Sequence, residues 1–494
     1  MRTRGSVRNI NFPMLGRVIG ILLLIEGCFM LAPLAASYIW GAGRDAGAFL
    51  IAIAATLVCG LLMITLIRPS TSDMHRREGY LLTASVWVIF SLFGMLSFLL
   101  CSTPLSISEA FFESMSGFTT TGATVLSSVS ELSHAILFWR CMMQWIGGMG
   151  IILFTLAVLP SLNHSGGMQM FNAEVTGITH DKIRPRISQT AKGLWGIYTL
   201  LSILLFFLLW IGPMDSFDAL CHTMSSISTG GFSTSDTSIA GWNSPYIMTV
   251  LSLFMFLGGV NFVLIYKAVS SRSATVLWKN DVFRTYIYII LFMLVMFDVA
   301  ILINEGYTDI MGLTLGPLFQ IMSTITSTGY TADRFELWGS FVMALTFMLM
   351  FFGSCAGSTS GGAKIDRLLY LLKNCRNELQ RVLHPNEVLS VRINGKIIPS
   401  YLVDKVIAFL CIYVMIIMLG GITLCAMGIP LVDAFFSSFS CLSNTGLGAG
   451  VTGYGSSYDV IPVPGMWVLS FLMLVGRLEL FTVLILFTST FWKR

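Results

Sequence analysis

Four short stretches of this sequence place Ser, Thr and Gly in the same order, a combination that can bind a cation. They run from Glu109 to Gly122, from Asp218 to Gly231, from Gly316 to Gly329 and from Asp433 to Gly446, and they align without gaps. Each contains Met or Phe followed by Ser, a bulky apolar residue two positions later, small polar residues and a closing glycine. Glycine permits backbone shapes that a Cβ would forbid, so each turn can present its carbonyl oxygens.

The residues before each turn predict a short helix whose C-terminal end favours a cation. A helix C-terminus carries roughly −0.5 elementary charge, and four such ends around one axis would make a negative focus. Rings of carbonyls replace the hydration shell of potassium, whereas divalent cations usually recruit carboxylates. The four turns contain no acidic residue, so the pattern favours a monovalent cation over calcium or magnesium. The alternative is that the turns only cap the short helices.

The composition argues against a soluble protein. Of the 494 residues, 55% are hydrophobic and 11% are charged, whereas an average soluble domain is about 25% charged. A soluble fold of this composition would expose large apolar patches, which disfavours a soluble enzyme, a disordered protein and a nucleic-acid-binding domain. The cysteines show no metal-binding spacing and no His-Glu-x-x-His sequence is present, so a thiolate metal site and a zinc protease are not indicated.

Long apolar segments predict membrane-spanning helices, because an isolated strand cannot satisfy its backbone in lipid. Loops between them alternate in charge, and the positive-inside rule places the basic loops and both termini in the cytoplasm. Each of the four Ser/Thr/Gly stretches lies in an acidic loop and is too short to span, as is typical of a re-entrant segment. The segments lie at about 15–40, 47–67, 80–101, 135–160, 194–212, 245–266, 283–303, 338–353, 401–427 and 465–491.

These features predict an all-α polytopic membrane protein. We expect four pseudo-repeated helix–pore loop–helix units around one central pore, plus an N-terminal helix pair. The helix pair is assigned to residues 1–70, and the units to 79–161, 187–270, 282–377 (with an interrupted second helix) and 399–494.

An interruption follows the eighth segment at 353–364. Glycine costs about 1 kcal/mol per position in a helix, so a continuous helix is not expected there, and unwound backbone in a membrane should line a cavity. A plain packing kink is the alternative. The interruption contains Gly353, Gly357, Gly361 and Gly362 together with Ser354, Cys355, Ser358, Thr359 and Ser360.

Charged residues also lie inside the apolar segments. Arg477 lies well inside the last predicted helix, where an Arg normally faces a cavity or a partner; an ion pair with Glu479 is disfavoured because i and i+2 point to different helix faces. Arg140 either supports the first short helix or snorkels. Glu26 is a packing or dimer feature, and the remaining candidates as loop or gate partners are Asp298 and Lys364.

Taken together, these motifs resemble the Trk/Ktr/HKT superfamily of potassium transporters, specifically the bacterial TrkH-type membrane subunit. The resemblance covers about residue 80 to the C-terminus, with an additional N-terminal helix pair. It is carried by the four loops and by Gln144–Gly150, Gly258–Phe262, Gly353–Lys364 and Gly476-Arg477.

The resemblance implies a potassium filter, which differs from Thr-Val-Gly-Tyr-Gly and should leak other alkali cations. Glycine at position 122, where some sodium-preferring plant relatives have serine, favours potassium. The implied filter residues are Thr120, Thr121, Gly122, Thr229, Gly230, Gly231, Ser327, Thr328, Gly329, Asn444, Thr445 and Gly446.

The resemblance also implies an intramembrane loop that obstructs the pore beneath the filter, with Arg477 contacting the loop and repelling cations. The gate residues are Gly353, Gly357, Ser358, Thr359, Ser360, Gly361, Gly362, Lys364 and Arg477.

The expected function is potassium uptake through a gated pore driven by the membrane potential, with no enzymatic activity. Potassium symport coupled to protons or sodium stays open; an intramembrane hydrolase using Ser358 or Ser360 is a remote alternative, because a serine nucleophile needs a base. A non-transporting receptor would not need the four loops. Potassium is the substrate, and no organic cofactor or nucleic acid is expected. The resemblance implies a bacterial inner-membrane homodimer, surrounded by lipid, that binds a cytosolic TrkA-type nucleotide-binding regulator.

Overall fold

The computed structural model describes residues 10–68, 75–150, 187–305, 310–453 and 456–493, and it is built from helices. Within these ranges, strands occur only as a two-stranded antiparallel hairpin, β1 (Arg392–Ile393) and β2 (Lys396–Ile397). The N-terminal region contains α1 (Phe12–Phe29), α2 (Leu31–Trp40) and α3 (Ala46–Leu66). In α1 and α3, Gly20 and Gly60 face each other so closely that a Cβ on either would lie 2.9 Å from the other's carbonyl oxygen, which is the small-residue packing of membrane helices.

The rest of the described chain repeats one order of elements four times: a long helix, a short helix, a turn and a second helix. The long helices are α4 (Arg76–Gly94, extended by α5, Leu96–Leu100), α8 (Ile187–Ile211), α13 (Asp281–Glu305) and α17 (Ser400–Ala426). The short helices are α6 (Ile107–Phe118), α9 (Ser216–Ile227), α14 (Ile310–Ile325) and α18 (Leu431–Leu442). The second helices are α7 (His134–Gly148), α10 (Pro245–Gly259), α15 (Ser340–Phe352) and α19 (Val463–Arg477).

Further helices follow the second helices. After α10 come α11 (Phe262–Ser271) and α12 (Thr275–Trp278); after α15 comes α16 (Ile365–Leu383); after α19 come α20 (Phe481–Leu484) and α21 (Ser489–Trp492).

The short helices begin where their sequences place capping side chains. Ser106 and Glu109 form a capping box at the start of α6, with the Ser106 amide donating to the Glu109 carboxylate at 2.8 Å. Asp215 caps α9 by accepting from the Asp218 amide at 2.7 Å. Such caps satisfy amides that have no intrahelical partner, so the short helices are locally specified.

The length and hydropathy of the helices identify a multi-pass membrane protein. Among the described residues, six helical segments are long and apolar enough to cross a membrane, and up to eight if each bent pair counts as one span. Large apolar side chains such as Leu61, Phe292 and Leu419 are more than half exposed, which fits contact with lipid. The predicted all-helical membrane fold is therefore confirmed.

Two helices that the sequence predicted to be continuous are broken. The segment 245–266 separates into α10 and α11, which meet at 100°, and the last segment bends by 111° between α19 and Phe481–Phe487. At the second break, Glu479 and Leu480 have φ values of 53° and 42°. Arg477 therefore ends a helix, and the prediction that it lies well inside one was wrong. The first unit's second helix ends at Gly148, and the predicted continuation to 160 lies outside the described residues.

Candidate functional site

The turns after the four short helices share one backbone conformation. In each turn, a non-glycine residue and the closing glycine two positions later both have positive φ, a region that residues with a Cβ rarely adopt. The non-glycine residues are Thr120 (54°), Thr229 (53°), Ser327 (54°) and Asn444 (53°), and the glycines are Gly122 (82°), Gly231 (85°), Gly329 (81°) and Gly446 (74°).

Contacts between the turns arrange them in a closed ring. A Cβ built on each closing glycine would overlap the carbonyl oxygen of the middle residue in the next turn. This relation joins Gly122 to Gly230, Gly231 to Thr328, Gly329 to Thr445 and Gly446 to Thr121. The last contact returns to the first turn, so turns far apart in sequence meet around one centre, and side chains at the closing glycines would separate them.

The amide of each middle residue is satisfied within its own unit. Each of these amides donates to the carbonyl of a serine in the preceding short helix. The amides are therefore already paired, and the groups that the turns can offer to a ligand are their carbonyl oxygens. The four bonds are Thr121 to Ser116 (2.9 Å), Gly230 to Ser225 (2.8 Å), Thr328 to Ser323 (2.8 Å) and Thr445 to Ser440 (2.9 Å).

A cavity lies against the closing glycines, and we call it the glycine-side cavity. Its lining includes Gly122, Gly231, Gly329 and Gly446, together with Arg140, Asp236 and Tyr458. Asp236 belongs to the loop between α9 and α10, outside the spanning helices. Partial burial opposes its ionisation, but hydrogen bonds from Ser130 and Val129 and the positive charge of Arg140 hold the pKa of Asp236 below its usual value.

The interruption at 353–364 lies on the side of the turns away from the glycine-side cavity. There it contacts residues that precede the closing glycines. The Gly361 amide donates to Ser327 Oγ at 2.5 Å, and Thr359 Oγ1 donates to the Ile227 carbonyl at 3.2 Å. A Cβ on Gly361 would overlap the carbonyl oxygen of Ser443. The interruption thus lies against three of the four units beneath the ring, and a plain packing kink does not describe it.

The break between α10 and α11 holds this loop. The Cys355 amide donates to the Gly259 carbonyl at 3.1 Å, and the Phe262 amide donates to the Gly357 carbonyl at 3.0 Å. Asn261, the N-cap of α11, also donates to the Ala356 carbonyl at 2.6 Å. We did not predict this break; the signal was Gly258-Gly259 followed by an asparagine suited to capping.

Arg477 joins the loop to the first unit. Its guanidinium donates to the Thr359 carbonyl at 2.8 Å, and to the carbonyls of Gly147 and Gly148 at 2.5 and 3.0 Å. These two glycines end α7, so one side chain from the fourth unit reaches both the loop and the end of the first unit's second helix.

The remaining loop residues bind one another. Gly353, Gly357 and Gly362 have φ of 61°, 74° and 77°. Ser358 donates to the Cys355 carbonyl at 2.6 Å and lies 2.9 Å from Ser360 Oγ.

Lys364 is buried and donates to the Ser360 carbonyl, so it secures the end of the loop. The carboxylate of Glu479 pairs with Arg367. Glu479 lies beyond the end of α19, so the helix-face argument from its spacing to Arg477 does not apply. In the described residues, no hydrogen bond joins Asp298 to the loop.

Arg140 supports the first two turns. It pairs with Glu113 at 2.7 Å, and both side chains are almost fully buried. Its guanidinium also donates to Thr124 Oγ1 at 3.1 Å and to the Ser233 carbonyl at 3.4 Å. The snorkelling alternative is therefore wrong for Arg140, and Glu113 is a residue that sequence reasoning missed. The carboxylate of Glu26, in contrast, is buried and has no hydrogen-bond partner among the described residues.

A multi-pass membrane protein whose repeated turns close a ring between a cavity and a buried loop has the architecture of an ion transport protein. A family model described as TrkH, cation transport protein, matches residues 46–494. The chain therefore belongs to the TrkH family of cation transport proteins, which confirms the resemblance and the prediction of a transporter instead of an enzyme.

Individual relatives agree over nearly the whole chain. It is 38% identical over 488 residues to the Trk system potassium uptake protein TrkH of Escherichia coli (strain K12), covering 98% of this chain and 100% of the relative. It is 36% identical over 490 residues to the protein of the same name from Vibrio parahaemolyticus, with the same coverage. The crystal structure of the potassium transporter TrkH from Vibrio parahaemolyticus matches with a TM-score of 0.87 at 34% identity, covering 98% of this chain and 100% of that one.

Proposed function

We propose that this protein takes up potassium through a gated, potassium-selective pore, and that the ring of four turns is its selectivity filter. The closed ring carries the proposal: four glycine-ended turns of equal conformation place their carbonyls around one centre. Taking a compact cation out of water costs on the order of 20 kcal/mol in the idealised limit, and a ring of carbonyls is the arrangement that replaces potassium's water. The relatives are named as potassium uptake proteins.

We assign the gate to the 353–364 loop with Arg477. The loop's contacts with Ser327, Ile227 and Ser443, residues that precede the closing glycines, support this assignment. A guanidinium at this point repels a cation leaving the filter. Its hydrogen bonds to Thr359 in the loop and to Gly147 and Gly148 at the end of α7 tie the loop to the first unit in the obstructing position. Withdrawal of the loop or of Arg477 would open the passage.

The membrane potential can drive this uptake without a coupled ion. A potential of 100 mV supplies about 2.3 kcal/mol per charge, which supports roughly 50-fold accumulation at about 1.4 kcal/mol per tenfold. Symport with protons or sodium is the second candidate. A reversal potential that shifts with pH or with sodium would favour it.

The proposed transport function also indicates the cellular location and the partners of the protein. We place it in the bacterial inner membrane with both termini in the cytoplasm, because the basic loops lie on that side by the positive-inside rule. Helix α16 carries Arg376, Arg381 and Lys373 on that face, where a cytosolic TrkA-type nucleotide-binding regulator would dock. A homodimer completes the proposed assembly.

The test is ion flux through purified protein in liposomes, with potassium, rubidium and sodium at two pH values. We expect flux of potassium and rubidium above sodium, with a reversal potential set by the potassium gradient alone. Equal flux of all three ions, or no flux above empty liposomes once Arg477 is replaced, would contradict the proposal.

A further inference from the structure

The second turn of the ring lacks a side chain that the other three have. The middle residue is Thr121, Thr328 or Thr445 in the first, third and fourth turns, but Gly230 in the second. Each threonine hydroxyl lies within hydrogen-bond distance of a hydroxyl two residues earlier. The pairs are Thr119 with Thr121 (2.8 Å), Thr326 with Thr328 (2.7 Å) and Ser443 with Thr445 (2.8 Å).

Gln144, from the second helix of the first unit, occupies the space of the missing side chain. A Cβ on Gly230 would lie 2.5 Å from Gln144 Oε1 and 2.8 Å from its Cγ. Gln144 Nε2 donates to the Gly230 carbonyl at 2.7 Å, while Oε1 accepts from Ser225 Oγ at 2.7 Å and from the Phe232 amide at 3.2 Å. Gln144 is fully buried. Its amide joins the last turn of α9, the middle residue of the second turn and the residue that follows the closing glycine.

The corresponding positions in other units are apolar. Gln144 lies three residues before Gly147, and a Cβ on Gly147 would overlap the Phe118 carbonyl at the end of the preceding short helix. Gly476 has the same relation to Leu442, and three residues before it lies Met473. Methionine also precedes Gly258 by three residues, as Met255. Around the ring, the unit that contains Met473 is followed by the turn with Thr121, and the unit that contains Met255 is followed by the turn with Thr328. The unit that contains Gln144 is followed by the turn with Gly230.

We propose that Gln144 is a positioning residue that substitutes for the missing threonine and sets the direction of the Gly230 carbonyl. A carbonyl oxygen has two lone pairs, so one can accept from Gln144 while the other stays available to a cation. The Gly230 carbonyl also adjoins Gly122. Gln144 therefore controls the contact between the first two turns, which we call the seam. The ion preference of the ring then depends on this side chain; this inference rests on the proposed filter.

Reciprocal exchange provides the test. Gln144→Met alone leaves the Gly230 carbonyl without its donor, and Gly230→Thr alone places a side chain against Gln144. The double variant recreates the pairing found elsewhere, because the introduced hydroxyl can reach Ser228 as Thr445 reaches Ser443. Gly230 lies outside the positive-φ region, so its backbone tolerates a side chain.

We would measure the permeability ratio of potassium to sodium from reversal potentials in liposomes. Each single variant should lower the ratio by about tenfold, equivalent to about 1.4 kcal/mol, and the double variant should recover most of it. Met255→Leu, at the same register in the second unit, is the matched control and should keep the wild-type ratio.

Additive losses in the double variant, or an unchanged ratio in Gln144→Met, would overturn the positioning role. If neither single variant folds, the double variant decides: folded and selective protein supports the role, and failure to fold refutes it. Absence of potassium flux in the wild type would instead count against the proposed function itself.

Discussion

The guanidinium of Arg477 donates to the carbonyl of Thr359 at 2.8 Å, across 118 residues of chain. Arg477 ends the second helix of the fourth unit, and Thr359 lies in the loop that follows the second helix of the third. The Thr359 hydroxyl in turn donates to the carbonyls of Ile227 and Gly258 in the second unit. The 353–364 loop is therefore held from both sides by neighbouring units.

The first prediction concerns this contact. Arg477→Ala removes hydrogen bonds from a charged donor, each worth about 1.5–3 kcal/mol, together with the positive charge beneath the ring. We expect rubidium flux into liposomes to rise by at least about tenfold at equal protein incorporation, since about 1.4 kcal/mol corresponds to tenfold. Arg477→Lys should give an intermediate flux, because it keeps the charge.

Arg376→Ala is the matched control for that experiment, since Arg376 is exposed on α16. It should leave flux at the wild-type level. If the flux through Arg477→Ala equals the wild-type flux, Arg477 is not part of the gate.

The second prediction concerns the seam between the first two turns. Gly122 has φ of 82°, and a Cβ there would overlap the Gly230 carbonyl. Gly122→Ser should therefore displace this carbonyl and lower the potassium-to-sodium permeability ratio by at least about tenfold, a change worth about 1.4 kcal/mol. Reversal potentials in liposomes measure the ratio.

Gly47→Ser tests whether a new side chain alone has this effect, because nothing lies within 4 Å of the Cβ position at Gly47. This variant should retain the wild-type ratio. A selective Gly122→Ser protein would show that the ring tolerates a side chain at its seam.

The third prediction concerns the buried ion pair of Glu113 and Arg140. Removing one partner of a buried pair costs about 3–5 kcal/mol, because the other charge is left uncompensated. Glu113→Gln should therefore lower the unfolding midpoint of the purified protein, followed by tryptophan fluorescence, by several degrees. Glu378→Gln breaks an exposed pair with Arg381, which is worth about 0–1 kcal/mol, and should leave the midpoint nearly unchanged. Equal midpoints in the two variants would show that the pair does not support the turns.

The fourth prediction concerns pH. The pKa of Asp236 is lower in the folded protein than in an unfolded chain; burial raises it, but the hydrogen bonds from Ser130 and Val129 outweigh that effect. Its contribution to stability is then present above the unfolded pKa of about 3.9 and is lost as pH falls through the folded value. Asp236→Asn should lower the unfolding midpoint at pH 7, and the difference from wild type should shrink below about pH 4. A difference that is independent of pH would mean that the charge of Asp236 contributes nothing.

Much of the fold and part of the candidate site could be read from local patterns. The short helices appear where Ser106, Asp215 and their neighbours can cap them, and the interruption at 353–364 appears where glycines accumulate. The residues proposed as a filter lie together in the ring. The unit boundaries, and the roles of the filter and gate residues, stay predictions.

Other features were not predictable because they join residues far apart in the chain. Glu113 meets Arg140 between two helices of one unit, and Gln144 meets Gly230 in the next unit. Neither the periodicity nor the residue spacing within one segment indicates such a contact. The breaks after Gly259 and Arg477 were missed because both segments are predominantly apolar, and hydropathy alone does not distinguish a straight span from a bent one.

The sequence by itself determined that the chain spans a membrane, that it repeats a glycine-ended turn, and that a glycine-rich interruption occurs within its third unit. These features depend on hydropathy and on backbone preferences, which act locally. The tertiary structure alone decided the order in which neighbouring turns meet around the ring, the particular carbonyls that Arg477 reaches, and that Gln144 completes the turn at Gly230. These contacts form only when packing brings distant segments together, so the order of residues along the chain does not specify them without the fold.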